Sequence, residues 1–92
     1  MSEKTTIQDT LKERGKRYGE FKDHALVTQK LKYVMQTFDR TKWDRLSEDK
    51  KEALEMIQHK IGRILNGDSS YIDSWVDIAG YAQLVVNQLE GK

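Results

Sequence analysis

The sequence predicts an all-α protein, a compact domain of four helices, on three observations. Proline is absent from all 92 residues, aliphatic side chains recur at spacings of three and four instead of alternating, and Ser, Thr, Asn and Gly stand where helix ends should fall. No internal repeat, low-complexity run or linker divides the chain, so residues 1–92 read as a single domain. A chain this short buries only a little over ~60% of its unfolded surface. With no cysteine to supply a disulfide or a thiolate metal site, self-association is the expected source of extra stability, and a homo-oligomer is expected.

The first helix is short, capped by Thr5 or Thr6, with Ile7 and Leu11 on one face and its end near Gly15. The basic stretch from Arg14 to Gly19 then reads as a flexible connection. The second helix runs from about Glu20 to Phe38, with Val27, Leu31, Val34, Met35 and Phe38 forming one buried stripe. His24 falls on that stripe and reads as a neutral core histidine. From Asp39 to Leu46 the chain is polar apart from Trp43, which is expected to fold over the core as a lid.

Ser47 caps the third helix, whose first turn carries Glu48 and Asp49, where the positive end of the helix dipole favours acids. Its stripe is Leu54, Ile57, Ile61, Ile64 and Leu65, and Asn66-Gly67 ends it. Asp68, Ser69 or Ser70 caps the fourth helix, which continues to about Leu89 along Tyr71, Trp75, Ile78, Ala79, Ala82, Val86 and Leu89. Val76, Tyr81, Leu84 and Val85 lie off that stripe. A helix apolar on more than one side needs cover on more than one side, and a second subunit is the natural cover. Gly80 in mid-helix implies a close approach by a neighbouring helix or a ligand. The short connection makes the third and fourth helices an antiparallel hairpin.

Net charge is +1, which argues against a general polyanion binder, so nucleic acid is not an expected partner. The halves differ, however: residues 1–46 carry a balance of +4 and residues 47–92 one of −3. No apolar leader begins the chain and no run reaches the ~18 apolar residues of a membrane span, so no membrane partner and a cytoplasmic location are expected. Walker-type, G-x-G-x-x-G and H-E-x-x-H motifs are absent, two histidines without cysteine are too few for a zinc site, and the serines occupy capping positions.

The remaining candidates for chemistry are polar groups on the last two helices. Glu52, Glu55, His59 and Arg63 follow at intervals of three and four on one face, with Lys60 beside them, and Asp73, Asp77 and Tyr81 share a face of the next helix. Two carboxylate pairs on adjacent helices suit Mg²⁺, which takes oxygen ligands while keeping waters for a nucleotide's phosphates. The same residues are equally readable as a solvated charged face, with Asp73 and Asp77 in structural ion pairs to Lys60 or Arg63.

The run Ala53-Leu-Glu-Met-Ile-Gln-His-Lys-Ile-Gly-Arg-Ile-Leu-Asn-Gly-Asp68, with Asp73-Ser-Trp-Val-Asp-Ile-Ala-Gly-Tyr-Ala82 and the earlier Arg17-Tyr-Gly-Glu-Phe21, resembles a small phage- and prophage-borne all-α family of unknown function over about residues 14–89. More distantly, the last two helices resemble MazG-like all-α nucleoside triphosphate pyrophosphatases, which bind Mg²⁺ through E-x-x-E and E-x-x-D. That likeness assigns Glu52, Glu55 and Asp77 as catalytic acids, with Asp73 as a further metal ligand. It departs at position 74, which is Ser where Glu belongs; Asp73 sits one residue early, a turn of about 100° around the helix.

Together these resemblances imply a homo-oligomeric protein of phage type that captures a small phosphorylated nucleotide, cyclic or signalling, as a sponge against host antiviral defence, without turnover and without a cofactor. Lys60, Arg63 and either Arg14 or Arg17 would hold phosphates, Tyr18, Trp75 or Tyr81 would stack on the base, and Asp73 and Asp77 would orient the basic groups or accept from the base and ribose. Two alternatives stay open: a Mg²⁺-dependent pyrophosphohydrolase, and a protein-interaction module that inhibits a host factor through the apolar fourth helix.

Overall fold

The computed structural model describes residues 6–91, which form five helices and no strand. These are α1 (Ile7–Tyr18), α2 (Phe21–Thr37), α3 (Arg40–Arg45), α4 (Glu48–Asn66) and α5 (Ile72–Leu89). The all-α reading holds, and the count rises from four to five because the Trp43 lid is itself a short helix. Asp39 caps that helix by accepting from the Lys42 backbone N–H, and Trp43 is buried beneath it.

Helix ends follow local chemistry, with corrections. Thr6 caps α1 in a reciprocal box: its hydroxyl accepts from the Asp9 N–H and the Asp9 carboxylate from the Thr6 N–H. Thr5 lies outside the described residues. The helix does not stop at Gly15 but continues through the supposed connection to Tyr18, ending at Gly19, whose φ of 78° only glycine adopts readily. Glycine is tolerated at position 15 because it stands exposed in the helix with nothing packed against it.

As expected, α4 ends at Asn66-Gly67, but for a different reason. The φ of Gly67 is −128°, outside the left-handed region, and a Cβ there would strike the backbone of Arg17 and Tyr18. Close approach, then, is what excludes a side chain. The cap of α5 is Tyr71 and not one of the three residues expected; Asp68 instead accepts from the Ser70 N–H within the turn.

Helix α4 is the centre of the fold, packed between α2 and α5. Opposite α2, His24 lies against His59 and Gly62 while Gln36 reaches Glu55, so those helices run antiparallel. Opposite α5, Lys60 meets Asp77 about equally far from the intervening turn, the mark of the antiparallel hairpin.

The expected apolar stripes enter these contacts only in part, with Val27, Leu31, Met35, Ile57 and Ile64 half-buried. The residues buried between helices are small or polar: His24, Thr28, Ala53, Gln58 and Ser74. Gly62 is buried with them. Many large side chains face outward, Phe38 at 86% exposure and Leu65 at 68% among them, and among the described residues no side chain falls below 2%. An open apolar groove of about 340 Å³ runs between α2, α3 and α4, lined by Met35, Phe38, Trp43, Leu46, Leu54 and Ile61.

The radius of gyration is 16.0 Å, against roughly 12 Å for a compact domain of this length. The expected compactness is therefore absent: three long helices side by side leave their apolar flanks uncovered. Among the described residues no helix is long and apolar enough to cross a membrane.

Candidate functional site

The site is built where the end of α1 is fastened to the turn between α4 and α5. The Asn66 side-chain amide donates to two carbonyls, those of Tyr18 and Glu20, each at 2.9 Å. The Asp68 N–H donates to the Arg17 carbonyl at 2.6 Å, satisfying one of the orphan acceptors at the end of α1. Gly19 and Gly67 let the two backbones meet without a Cβ between them. Residues about fifty apart in sequence are thereby held in register.

This junction brings Arg17 and Tyr18 over the start of α5. Arg17 Nη1 donates to the Tyr71 hydroxyl at 3.0 Å, and that hydroxyl donates to Asp73 Oδ2 at 2.9 Å. The second nitrogen of Arg17 pairs with Glu13 at 2.9 Å, and the guanidinium lies 4.9 Å from the centre of the Tyr71 ring. The bond to Asp73 raises the Tyr71 pKa, because a carboxylate acceptor favours the protonated phenol. Tyr71 in turn meets Tyr18 edge to face, with ring centres 6.1 Å apart.

On the other side of Tyr18 lies Arg63, its guanidinium carbon 4.1 Å from the ring centre, in cation–π geometry. Among the described residues no carboxylate is within ion-pair distance of Arg63. Next to it on α4, Lys60 is nearly enclosed, its side chain 11% exposed, and pairs with Asp77 at 3.0 Å. His59 and His24 complete the floor, Nδ1 of the former 3.4 Å from Nε2 of the latter. Burial and the nearby Arg63 lower both pKa values, that of His59 to about 4, so neither ring carries charge near neutral pH. A cavity of about 230 Å³ continues along α1, lined by Glu13, Arg14, Arg17 and Tyr18.

Of the residues singled out from sequence, Arg17, Tyr18, Arg63 and Asp73 thus belong to one cluster through the tyrosine pair, and Lys60 and Asp77 form an ion pair beside it. Trp75 faces elsewhere, its indole N–H donating to the Ser69 carbonyl at 2.8 Å. Tyr81, two turns beyond Asp73, makes no hydrogen bond or ring contact with the cluster.

The four acids of the hydrolase-like set are dispersed. Glu52 is exposed, Glu55 accepts from Gln36, Asp73 from Tyr71, and Asp77 is held by Lys60. Among the described residues no group of three His, Asp, Glu or Cys side chains gathers as a metal site would require.

Tyr71 and Asn66 were missed as site residues. The sequence places Tyr71 in an apolar stripe, and its position two residues before Asp73 gives no helical signal, because the pairing crosses a helix cap. Asn66 reads only as a helix stop. No local pattern marks it, because the carbonyls its amide reaches belong to residues nearly fifty positions away.

Comparison of the chain with protein-family models, curated proteins and solved structures finds no significant match to any of them. Its secondary structure establishes a small all-α protein, and the finer family likeness remains an expectation.

Proposed function

We propose that this protein binds a small phosphorylated nucleotide at the cluster of Arg17, Tyr18, Arg63 and Tyr71, and that it holds the ligand without hydrolysing it. The observation that carries this reading is the state of Arg63. Its guanidinium carbon lies 4.1 Å from the centre of the Tyr18 ring, with no carboxylate of a described residue to neutralise it. A stacked, pre-oriented guanidinium keeps its N–H edge free for two oxygens of a phosphate. The two tyrosines add planar surface suited to a base, and the neutral His24–His59 pair leaves the cationic groups to set the sign of the ligand.

Capture instead of turnover is supported by the dispersal of Glu52, Glu55, Asp73 and Asp77 over separate partners. A protein that binds a nucleotide and releases it unchanged acts by sequestration, and a signalling nucleotide of host defence is the target that fits the phage-type resemblance of the sequence.

The experiment is titration calorimetry of the full chain against a panel of linear and cyclic nucleotides. A ligand that binds the native protein, is bound at least tenfold more weakly by Arg63→Ala, and is recovered unaltered after incubation with Mg²⁺ supports the reading. Release of pyrophosphate, or equal binding by Arg63→Ala, overturns it.

A further inference from the structure

The outer face of α5 carries an uninterrupted heptad seam that the other described residues leave largely uncovered. Ile72, Trp75, Ala79, Ala82, Val86 and Leu89 follow one another at intervals of three, four, three, four and three, the a/d spacing at which two helices interlock. In sequence these residues mix with those of the stripe expected to face the core. In the structure the face toward α4 is taken by Ser74, buried, with Ile78, Tyr81 and Val85 half-buried around it. The seam lies well round the helix from Asp77, the residue that Lys60 fixes against α4. Ile72 is 68% exposed, Trp75 53%, Val86 44% and Leu89 67%, and both alanines are exposed.

We infer that this seam pairs with the same seam of a second copy of the chain, antiparallel about a two-fold axis between Ala79 and Ala82. The pattern is self-complementary in that arrangement. Ile72 faces the other copy's Leu89, Trp75 its Val86, and Ala79 its Ala82, so each a position meets a d position as antiparallel pairs require. The alanine layer at the axis lets the helices approach to about 8 Å, and the large residues close the two ends. A parallel pair would instead set Trp75 against Trp75 and align the two helix dipoles. Antiparallel pairing sets each large residue against an aliphatic one and opposes the dipoles.

The area is sufficient. With Val76 flanking the seam at 57% exposure, a symmetric pair removes on the order of 1,200 Å² from water, the lower end of specific interfaces. An isologous two-fold contact is also the commonest way a soluble chain closes on itself. It would cover the flank that makes the single chain more extended than a compact domain, and it stands independently of the ligand reading.

The test is light scattering of the full chain, joined with cysteine cross-linking, which the absence of native cysteine makes clean. The native protein should have twice the 10.8 kDa chain mass. Ala82→Glu should halve that mass with helical circular dichroism retained. Mixing Ile72→Cys with Leu89→Cys under oxidation should give a mixed disulfide dimer, with neither variant linking efficiently to itself. A monomeric native protein, a dimer that survives Ala82→Glu but is lost in Phe38→Lys, or efficient self-linking of Ile72→Cys would each overturn the proposal. If Ala82→Glu fails to fold, the cross-linking pattern alone decides it.

Discussion

His24 and His59 meet edge to face across the α2–α4 contact, ring centres 4.7 Å apart, with the two facing nitrogens at 3.4 Å. One ring is donor and the other acceptor, an arrangement that requires at least one neutral imidazole. A proton on His59 is opposed by burial, then by Arg63, His24 and Lys60, and by Lys32 from α2.

A pH dependence follows. An unfolded histidine takes up its proton near 6.5, whereas His59 in the folded chain does so only near 4. Between those values the unfolded state binds more protons, so stability rises with pH. It is complete above the unfolded pKa, is drawn down as pH falls through that window, and levels off once folded His59 is itself protonated. His24, lowered in the same direction, adds to the slope. The unfolding midpoint of the native protein should fall between about pH 7 and pH 4.5. His59→Gln, which cannot take up the proton, should show a shallower fall; parallel curves would refute the assignment.

Gly62 sits where that histidine pair and Thr28 crowd α4. A Cβ there would stand 2.6 Å from Thr28 Cγ2 and 3.2 Å from the His24 ring. Alanine would gain about 1 kcal/mol of helix propensity, but overpacking typically costs about 1–3 kcal/mol. Gly62→Ala should therefore be destabilising by up to about 2 kcal/mol in denaturant unfolding. Thr28→Ser removes the offending methyl while keeping the hydroxyl that donates to the Ala25 carbonyl. In that background Gly62→Ala should be neutral or stabilising, a coupling that a double-mutant cycle measures directly.

Gly62 also shows where sequence reasoning reached its limit. The helices were legible because periodicity and capping residues act within one turn, and the lid was legible because Trp43 stood alone in a polar stretch. Which face each helix buries was not. The apolar stripes of α2 and α4 point inward only in part, with Val27, Leu31, Met35, Ile57 and Ile64 half-buried, while His24, Thr28, Gln58, Gly62 and Ser74 hold the most buried positions. Likewise Arg63, Lys60 and Asp77 were identifiable from spacing on single helices. The pairing of Tyr18 with Tyr71 depends on a junction between distant backbones that no local pattern encodes.

Lys60 and Asp77 should respond unequally to substitution. The Lys60 side chain is nearly enclosed while that of Asp77 is 45% exposed, so each would be left in a different environment if its partner were removed. Asp77→Asn strands a buried charge, and a loss of about 1–3 kcal/mol is expected, below the value for a fully buried pair because water reaches this site. Lys60→Met keeps the packing of the stem and leaves Asp77 to solvent, so its cost should stay within about 1 kcal/mol. Chemical denaturation of the two variants side by side gives the comparison. Equal losses would mean that the pair acts as an ordinary surface bridge.

Asn66 is the residue on which the candidate site depends without being part of its ligand-facing surface. Its amide is the donor for both the Tyr18 and Glu20 carbonyls, and the turn it closes sets Tyr18 under Arg63. In Asn66→Ala those carbonyls can turn to water, so the global stability loss should be modest, about 1 kcal/mol. The larger consequence is local. With that clamp gone, α1 retains only the Asp68 N–H and the Tyr71 hydroxyl as its hydrogen-bonded attachments to the α4–α5 turn. Hydrogen exchange should then speed up through α1 while the amides of α4 and α5 keep their protection, the signature of a sub-global opening. Nucleotide affinity should fall with it, although no residue proposed to touch the ligand has changed. If α1 exchanges at its native rate in this variant, the Asn66 clamp does not position Tyr18.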